Sequence, residues 1–197
     1  IFLPLPRLQL LLQAVIWAEC TNQTQKGLLR QAFFLVISTK SFYNIYMKLR
    51  LYQSDDLKEI LALFHETVHA VNIADYTKEQ CDAWAPEKPD EIRWNKILSA
   101  HLTLVAIEGN QIVGFADMDE TGYLDHLYVH SRFQRKGVAN ALCEALEQAV
   151  PSKRYFVHAS ITARPFFEAQ GYHVICEQQV KRCSITLINY QMEKRAP

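Results

Sequence analysis

The sequence predicts an α+β domain: a central mixed, mostly antiparallel sheet with helices on both faces. Three observations lead there. The spacing of apolar residues switches repeatedly between the helical period and the strand period along the chain. Several strand-like segments follow one another directly, two of them joined by Gly109-Asn110, a tight hairpin signal. The chain has 197 residues, 49% hydrophobic and 21% charged, a balance that suits one domain plus an extension and excludes disordered, collagenous and coiled-coil classes.

The first methionine is Met47, and residues 1–46 carry four basic side chains against Glu19 alone. Their apolar runs, Leu8–Ala18 and Gln31–Ile37, are shorter than the roughly 18–20 residues that span a bilayer. Arg7 alone gives the first run a basic start, and Ala18-Glu19-Cys20 is a poor cleavage site, so the run makes a poor signal peptide. Residues 1–46 are expected to be an accessory or non-native extension, and 47–197 the domain proper.

Within the domain, Lys48–Tyr52 alternates as a strand. Ser54-Asp55-Asp56 can cap a helix running to about Val71, with Leu57, Ile60, Leu61, Phe64 and Val68 on one face. Thr77-x-x-Gln80 has capping-box form and opens a short helix that ends before Pro86. Asp90 starts a third, to about Ala100. Leu102–Glu108, Gln111–Met118 and Tyr123–Val129 read as consecutive strands. Gly137–Val150 is an amphipathic helix, Tyr155–Ala159 a strand, and Thr162–Gln170 a helix stopped by Gly171. Tyr172–Val180 and Cys183–Gln191 close the chain as strands, and the last is a candidate for pairing or swapping across a homodimer. Trp84 and Trp94 read as packing residues.

Equal numbers of acidic and basic side chains, 21 of each, give no global pull toward nucleic acid or a membrane surface. Five cysteines (Cys20, Cys81, Cys143, Cys176, Cys183) show no C-x-x-C and no metal-like spacing, so they read as reduced, mostly buried thiols of a cytoplasmic protein.

The chemistry concentrates in Leu124–Leu146, where a strand ends, a basic loop follows and a helix begins at Gly137. Amides at a helix start point outward unpaired, beside the positive end of the helix dipole, and suit a phosphate or pyrophosphate. Gly137 lets a ligand approach the backbone, Ala139 keeps the first turn small, and Arg132, Arg135 and Lys136 add positive charge. Neither the P-loop nor the Rossmann pattern is present.

Gln134-Arg135-Lys136-Gly137-Val138-Ala139 matches the Q/R-x-x-G-x-G/A signature of the GNAT (GCN5-related) N-acetyltransferases, directly after the strand residues Leu127-Tyr128-Val129. Ala163–Tyr172, ending in Gly171-Tyr172, looks like that family's second cofactor-side helix, and the front part, from Glu66 to Pro86, resembles its YafP-like bacterial members. The resemblance spans Met47 to about Glu193. It implies the GNAT (acyl-CoA N-acyltransferase) fold and N-acetyltransfer from acetyl-CoA to an amine of a small molecule or peptide, by direct attack. It implies further that Tyr123–Val129 and Tyr155–Ala159 are parallel neighbours that splay apart. Pantetheine would bond to the open edge at Leu127 and Val129, beside Tyr128, and the pyrophosphate would rest on amides from Gln134 to Ala139. Ser160, Ala163, Phe166 and Phe167 would line the far side of the cofactor. Family members often carry a tyrosine four residues before the Gly-aromatic pair, as acid for the thiolate; that position here is Phe167. The departure favours, as an alternative, an acyl-CoA-binding module without turnover.

The resemblance places the general base on the face of Leu127 and Val129. Simple strand alternation puts Asp125 on that face and His126 on the other, so Asp125 comes first and His126 second. His69, Asn72, Asp75 and Tyr76 are candidates for the acceptor pocket. His65-Glu66-Thr67-Val68-His69 satisfies H-E-x-x-H, but no third ligand has matching spacing, so no metal is expected and a zinc hydrolase stands last.

Overall fold

The strand-period segments of the domain assemble into one sheet in the computed structural model of the chain, which describes residues 38–40 and 46–196, the first three and Tyr46 as backbone alone. These residues belong to one compact unit, Ile37–Pro197. The apolar runs Leu8–Ala18 and Gln31–Ile37, and Cys20, lie outside the described residues. The strands are β1 (Ser38–Lys40), β2 (Tyr46–Leu51), β3 (Leu102–Glu108), β4 (Gln111–Met118), β5 (Tyr123–Val129), β6 (Arg154–Ser160), β7 (His173–Arg182) and β8 (Ile185–Arg195). Their order is β1-β2-β3-β4-β5-β6-β8-β7, antiparallel except for β5 beside β6.

Among the described residues five helices cover the sheet: α1 (Leu57–Ala70), α2 (Lys78–Trp84), α3 (Glu91–Ala100), α4 (Val138–Ala149) and α5 (Arg164–Ala169). Side-chain caps set the starts of α2 and α3 as the sequence indicates, whereas Ser54–Asp56, expected to cap α1, form a 3-10 turn and α1 has no side-chain cap. The Thr77 hydroxyl accepts from the Gln80 amide and the Gln80 side chain accepts from the Thr77 amide, while Asp90 accepts from the Arg93 amide. Ile60, Phe64 and Val68 of α1 bury against Val105 and Phe115 on one face of the sheet. On the other face α4 lies so close to β4 that a Cβ on Gly114 would meet Val138 Cγ1 at 2.9 Å and the Tyr128 carbonyl at 3.1 Å. The expected mixed sheet with helices on both faces is therefore present.

Some boundaries differ for identifiable reasons. The last hairpin turns at Cys183 and Ser184, both with positive φ (47° and 70°), and not before Cys183 as expected. A two-residue turn requires left-handed backbone at both positions, and here two non-glycine residues adopt it without the usual Asn-Gly signal. The expected dimer-pairing segment Cys183–Gln191 forms that turn and most of β8, which is flanked by β6 and β7; at this end of the sheet β7 is the outermost strand among the described residues. The helix expected over Thr162–Gln170 is shorter, because Ala163 is its cap and Pro165 fixes its first turn. The cysteines correct a further expectation: Cys81 and Cys143 are buried, whereas Cys176 and Cys183 are exposed thiols. Among the described residues no helix is long and apolar enough to cross a membrane.

Candidate active site

The site begins with a strand that changes partners. The parallel pairing of β5 with β6 covers only Tyr123↔Phe156 and Leu124↔Val157, after which the strands part. Along its other edge β5 pairs with β4 as far as Gly114↔Val129. His130 donates its amide to the Val113 carbonyl. Alternate residues of a strand send their backbone groups to the same side. Tyr128 therefore faces β4, and the backbone groups of Leu127 and Val129 face the gap toward β6. The Val129 carbonyl accepts from Thr67 Oγ1 and Gln134 Nε2, both at 3.3 Å.

A bulge sits just before this open edge. Asp117 pairs with His126 but Met118 pairs with Leu124, which leaves Asp125 as the extra residue. The bulge overturns simple alternation: the Asp125 carboxylate is not opposite His126 but comes within 3.7 Å of its Nδ1. The His126 ring leans on Trp94 (centroids 4.5 Å apart), with Phe115 and Tyr128 each 6.4 Å away. Tyr128 is partly buried among these rings, and its burial pushes the phenol well above the usual range.

Two residues that the sequence reading did not single out complete this cluster. Asp117 is 0% exposed and accepts from His126 Nδ1 at 2.8 Å through Oδ1 and from His101 Nδ1 at 2.6 Å through Oδ2. Burial pushes its carboxyl up, but the two imidazole hydrogen bonds outweigh this and hold it below the usual carboxylate range. Burial presses His126 down, and the bond to Asp117 prevails, so that its imidazole is raised; the same bond is the main cause raising His101. The signal for Asp117 was present in the sequence, as one acid inside the apolar run Ile112–Met118 on the face of Phe115, where a carboxylate needs a buried partner. His126 Nε2 has no partner among the described residues and is not one of their buried orphan atoms, so it meets solvent.

Beyond β5 the loop is built to hold one shape. The Ser131 hydroxyl donates to Glu66 at 2.6 Å, His130 accepts from the Arg132 amide, and Lys136 lies over the Phe133 ring at 4.7 Å. Arg135 and Gly137 both have left-handed backbone (φ 57° and 85°). Gly137 caps α4 without any side-chain cap, so the amides of Val138 and Ala139 open its first turn. Glu66 Oε2, beside this loop, is buried with no partner among the described residues.

Across the gap, the Ser160 hydroxyl accepts from the Ala163 amide and from Asn72 Nδ2. Tyr76 OH donates to the Ile188 carbonyl at 2.6 Å and accepts from the Ile161 amide, while Thr162 donates to Asp75 at 2.7 Å. Three of the four expected acceptor residues, Asn72, Asp75 and Tyr76, thus commit polar groups to the end of β6. Phe166 and Phe167 stack edge to face, Phe167 is buried against Tyr172, and Gln170 donates to Asn140 at the start of α4. His69 lies elsewhere, its Nδ1 at the His65 carbonyl and its Nε2 3.1 Å from Asp82, at a pocket of about 390 Å³. The two imidazoles of the H-E-x-x-H string stack at 4.1 Å, and both nitrogens of His69 are engaged. A different trio, His101, Asp117 and Asp125, lies within 4.8 Å, but each Asp117 oxygen there already accepts from an imidazole.

Comparison with known proteins places this arrangement in context. A family model described as an acetyltransferase (GNAT) domain matches residues 72–194. The chain is 35% identical over 146 residues to the uncharacterized N-acetyltransferase YafP of Escherichia coli (strain K12), covering 74% of this chain and 94% of that protein. A crystal structure of a GCN5-related N-acetyltransferase from Rhodopseudomonas palustris is 32% identical with a TM-score of 0.73, covering 75% of this chain and 94% of that one. PaiA N-acetyltransferase from Thermoplasma acidophilum, solved in complex with coenzyme A, shares the fold at 17% identity and a TM-score of 0.63, covering 76% and 99%.

Proposed function

The chain belongs to the GNAT family of acetyltransferases, and from that premise we propose that it moves acetyl from acetyl-CoA to the amine of a small molecule or peptide held in the same site. The observation that carries this reading is the conjunction within β5: an imidazole at His126 immediately before a strand edge that opens at Leu127 and Val129. The residues present fit the cofactor. An open strand edge suits the amides of a pantetheine arm. The uncapped first turn of α4, entered through left-handed Gly137, suits a pyrophosphate on the amides from Gln134 to Ala139. Ser160, Ala163 and Phe166 border the opposite wall, and a structure that shares the fold was solved in complex with coenzyme A.

Acetyl-CoA supplies the activated acyl group; the chain supplies position and proton transfer. In this reading His126 is the base. Its Nδ1–H is held by Asp117, which leaves the Nε2 lone pair to take a proton from the acceptor ammonium. Asp125 adds negative charge beside the ring and favours a cationic acceptor. Phe167, buried against Tyr172, has no proton to give, and a thiolate whose conjugate acid has a pKa near 8.5 departs without help from that position. Asn72, Asp75 and Tyr76 serve by fixing the Ser160–Ala163 turn instead of meeting the acceptor.

Calorimetric titration of the full chain tests the foundation. Acetyl-CoA should bind in the micromolar range and ATP should not. Gly137→Glu, which strains a left-handed position and sets bulk and like charge at the pyrophosphate, should weaken acetyl-CoA by about 1–3 kcal/mol, roughly 5- to 150-fold. Unchanged affinity in a folded variant would remove the loop from the site.

A further inference from the structure

His101 stands outside the expected site, at the cap of α3 just before β3, yet it takes one of the two oxygens of the carboxylate that holds the base. One negative charge, 0% exposed, is thus divided between two imidazoles, one from each side. The partners differ in access to water, with side-chain exposures of 22% for His101 and 15% for His126. The other groups facing the pair are few. Asp125 acts on both imidazoles and Asp119 on His101, while Trp94, Phe115 and Tyr128 present only rings to His126. A second proton arriving at this cluster meets a carboxylate already balanced by the first.

We propose that His101 is a positioning residue for proton transfer: by sharing Asp117 it takes up the cluster's first proton and leaves His126 neutral to act as base. The inference rests on the reading of His126 as the proton acceptor. His101, less deeply buried, loses less hydration on charging and is protonated first. His126 then keeps one hydrogen, on Nδ1 toward Asp117, and an unshared pair on Nε2. The ammonium proton passes to Nε2, the amine becomes neutral, and the proton afterwards leaves Nε2 to the solvent it faces. Without a partner on Asp117 Oδ2, the whole carboxylate would act on His126, and its charged form would persist to higher pH.

Two substitutions test this, one that removes the charge at position 101 and one that fixes it. His101→Asn keeps a neutral donor toward Asp117 but cannot carry charge; His101→Lys keeps a cation there at all working pH. The acid limb of kcat/KM, measured at saturating acetyl-CoA, should move up by about half to one pH unit in His101→Asn, with the loss at neutral pH recovered on raising the pH. In His101→Lys, which keeps the cation that His101 already supplies, the limb should stay where it is in the parent. The His126 ring proton signal, titrated by NMR in the absence of substrates, should follow the same pattern, raised in His101→Asn and unmoved in His101→Lys, which a merely structural role of His101 would not give. An unmoved NMR midpoint in folded His101→Asn, or one raised as much in folded His101→Lys as in His101→Asn, overturns the inference. A midpoint that moves while the rate profile stays still shows instead that His126 is not the base, and the underlying reading falls, taking the inference with it.

Discussion

At the scale of single residues, the site depends on the bulge that brings Asp125 and His126 to one side of β5. A regular strand would have sent their side chains to opposite faces, and the carboxylate could not have come within 3.7 Å of the imidazole. His126→Ala should therefore lower kcat/KM by about 100-fold or more, the usual contribution of a positioned base, while acetyl-CoA affinity stays within about twofold. Steady-state CoA release with an amine panel, beside a binding titration, separates the two effects. Asp125→Asn should lower turnover less, again with little change in cofactor affinity. If His126→Ala turns over normally and Asp125→Asn does not, the base is Asp125. The adjacency of Asp125 and His126 was legible in the sequence, but their shared side was not, because nothing in Tyr123–Val129 marks where β4 and β5 slip by one residue. Asp117 was legible in principle, as an acid in an apolar strand; its two imidazole partners lie 16 and 9 residues away and come together only through the sheet register.

At the scale of elements, the start of α4 is placed by what β4 lacks. Gly114 has no side chain where Val138 and the Tyr128 carbonyl close in, so the first turn of the helix settles directly over the sheet, next to the end of β5. Gly114→Ala would insert a methyl group 2.9 Å from Val138 Cγ1, and since the Tyr128 carbonyl blocks retreat on the other side, the helix end must shift. We expect a loss of about 1–3 kcal/mol of stability, with acetyl-CoA affinity falling because the Gly137–Ala139 amides move with the helix. Denaturant unfolding and calorimetry together check this; a variant with normal stability and affinity would mean that the close packing does not set the loop. The strands and long helices could be read from periodicity and caps, since both are local. The turn at Cys183-Ser184 and the shortened α5 could not. The first depends on two non-glycine residues accepting left-handed backbone. The second depends on Thr162 bonding Asp75 from a distant turn, so that the chain before Arg164 serves the β6 end instead of the helix.

At the scale of the whole molecule, the buried carboxylate of Asp117 joins the approach to β3, the end of β4 and the bulge of β5, so its charge balance bears on folding as well as on reaction. Burial works against the ionised carboxyl, but its imidazole partners hold its folded-state pKa below the unfolded one. The stability it contributes is present above the unfolded value of about 3.9 and is lost as pH falls through the lower folded value. His101 and His126 have the opposite sign. Their raised values mean that protonation favours the folded state, so their contribution is complete below the unfolded value of about 6.5 and is lost as pH rises through the folded values. The cluster should accordingly stabilise most between about pH 4 and 6.5, and the melting temperature should decline from pH 6 toward pH 9. Asp117→Asn removes the cause of both imidazole shifts. It should melt lower than the parent at pH 6, and the gap should narrow as pH rises, because the parent loses a contribution that the variant never had. Thermal melts at half-unit steps from pH 5 to 9 decide the matter. If parent and variant decline in parallel over that range, the pH dependence comes from elsewhere in the fold, and the His101–Asp117–His126 cluster is not in charge balance with folding.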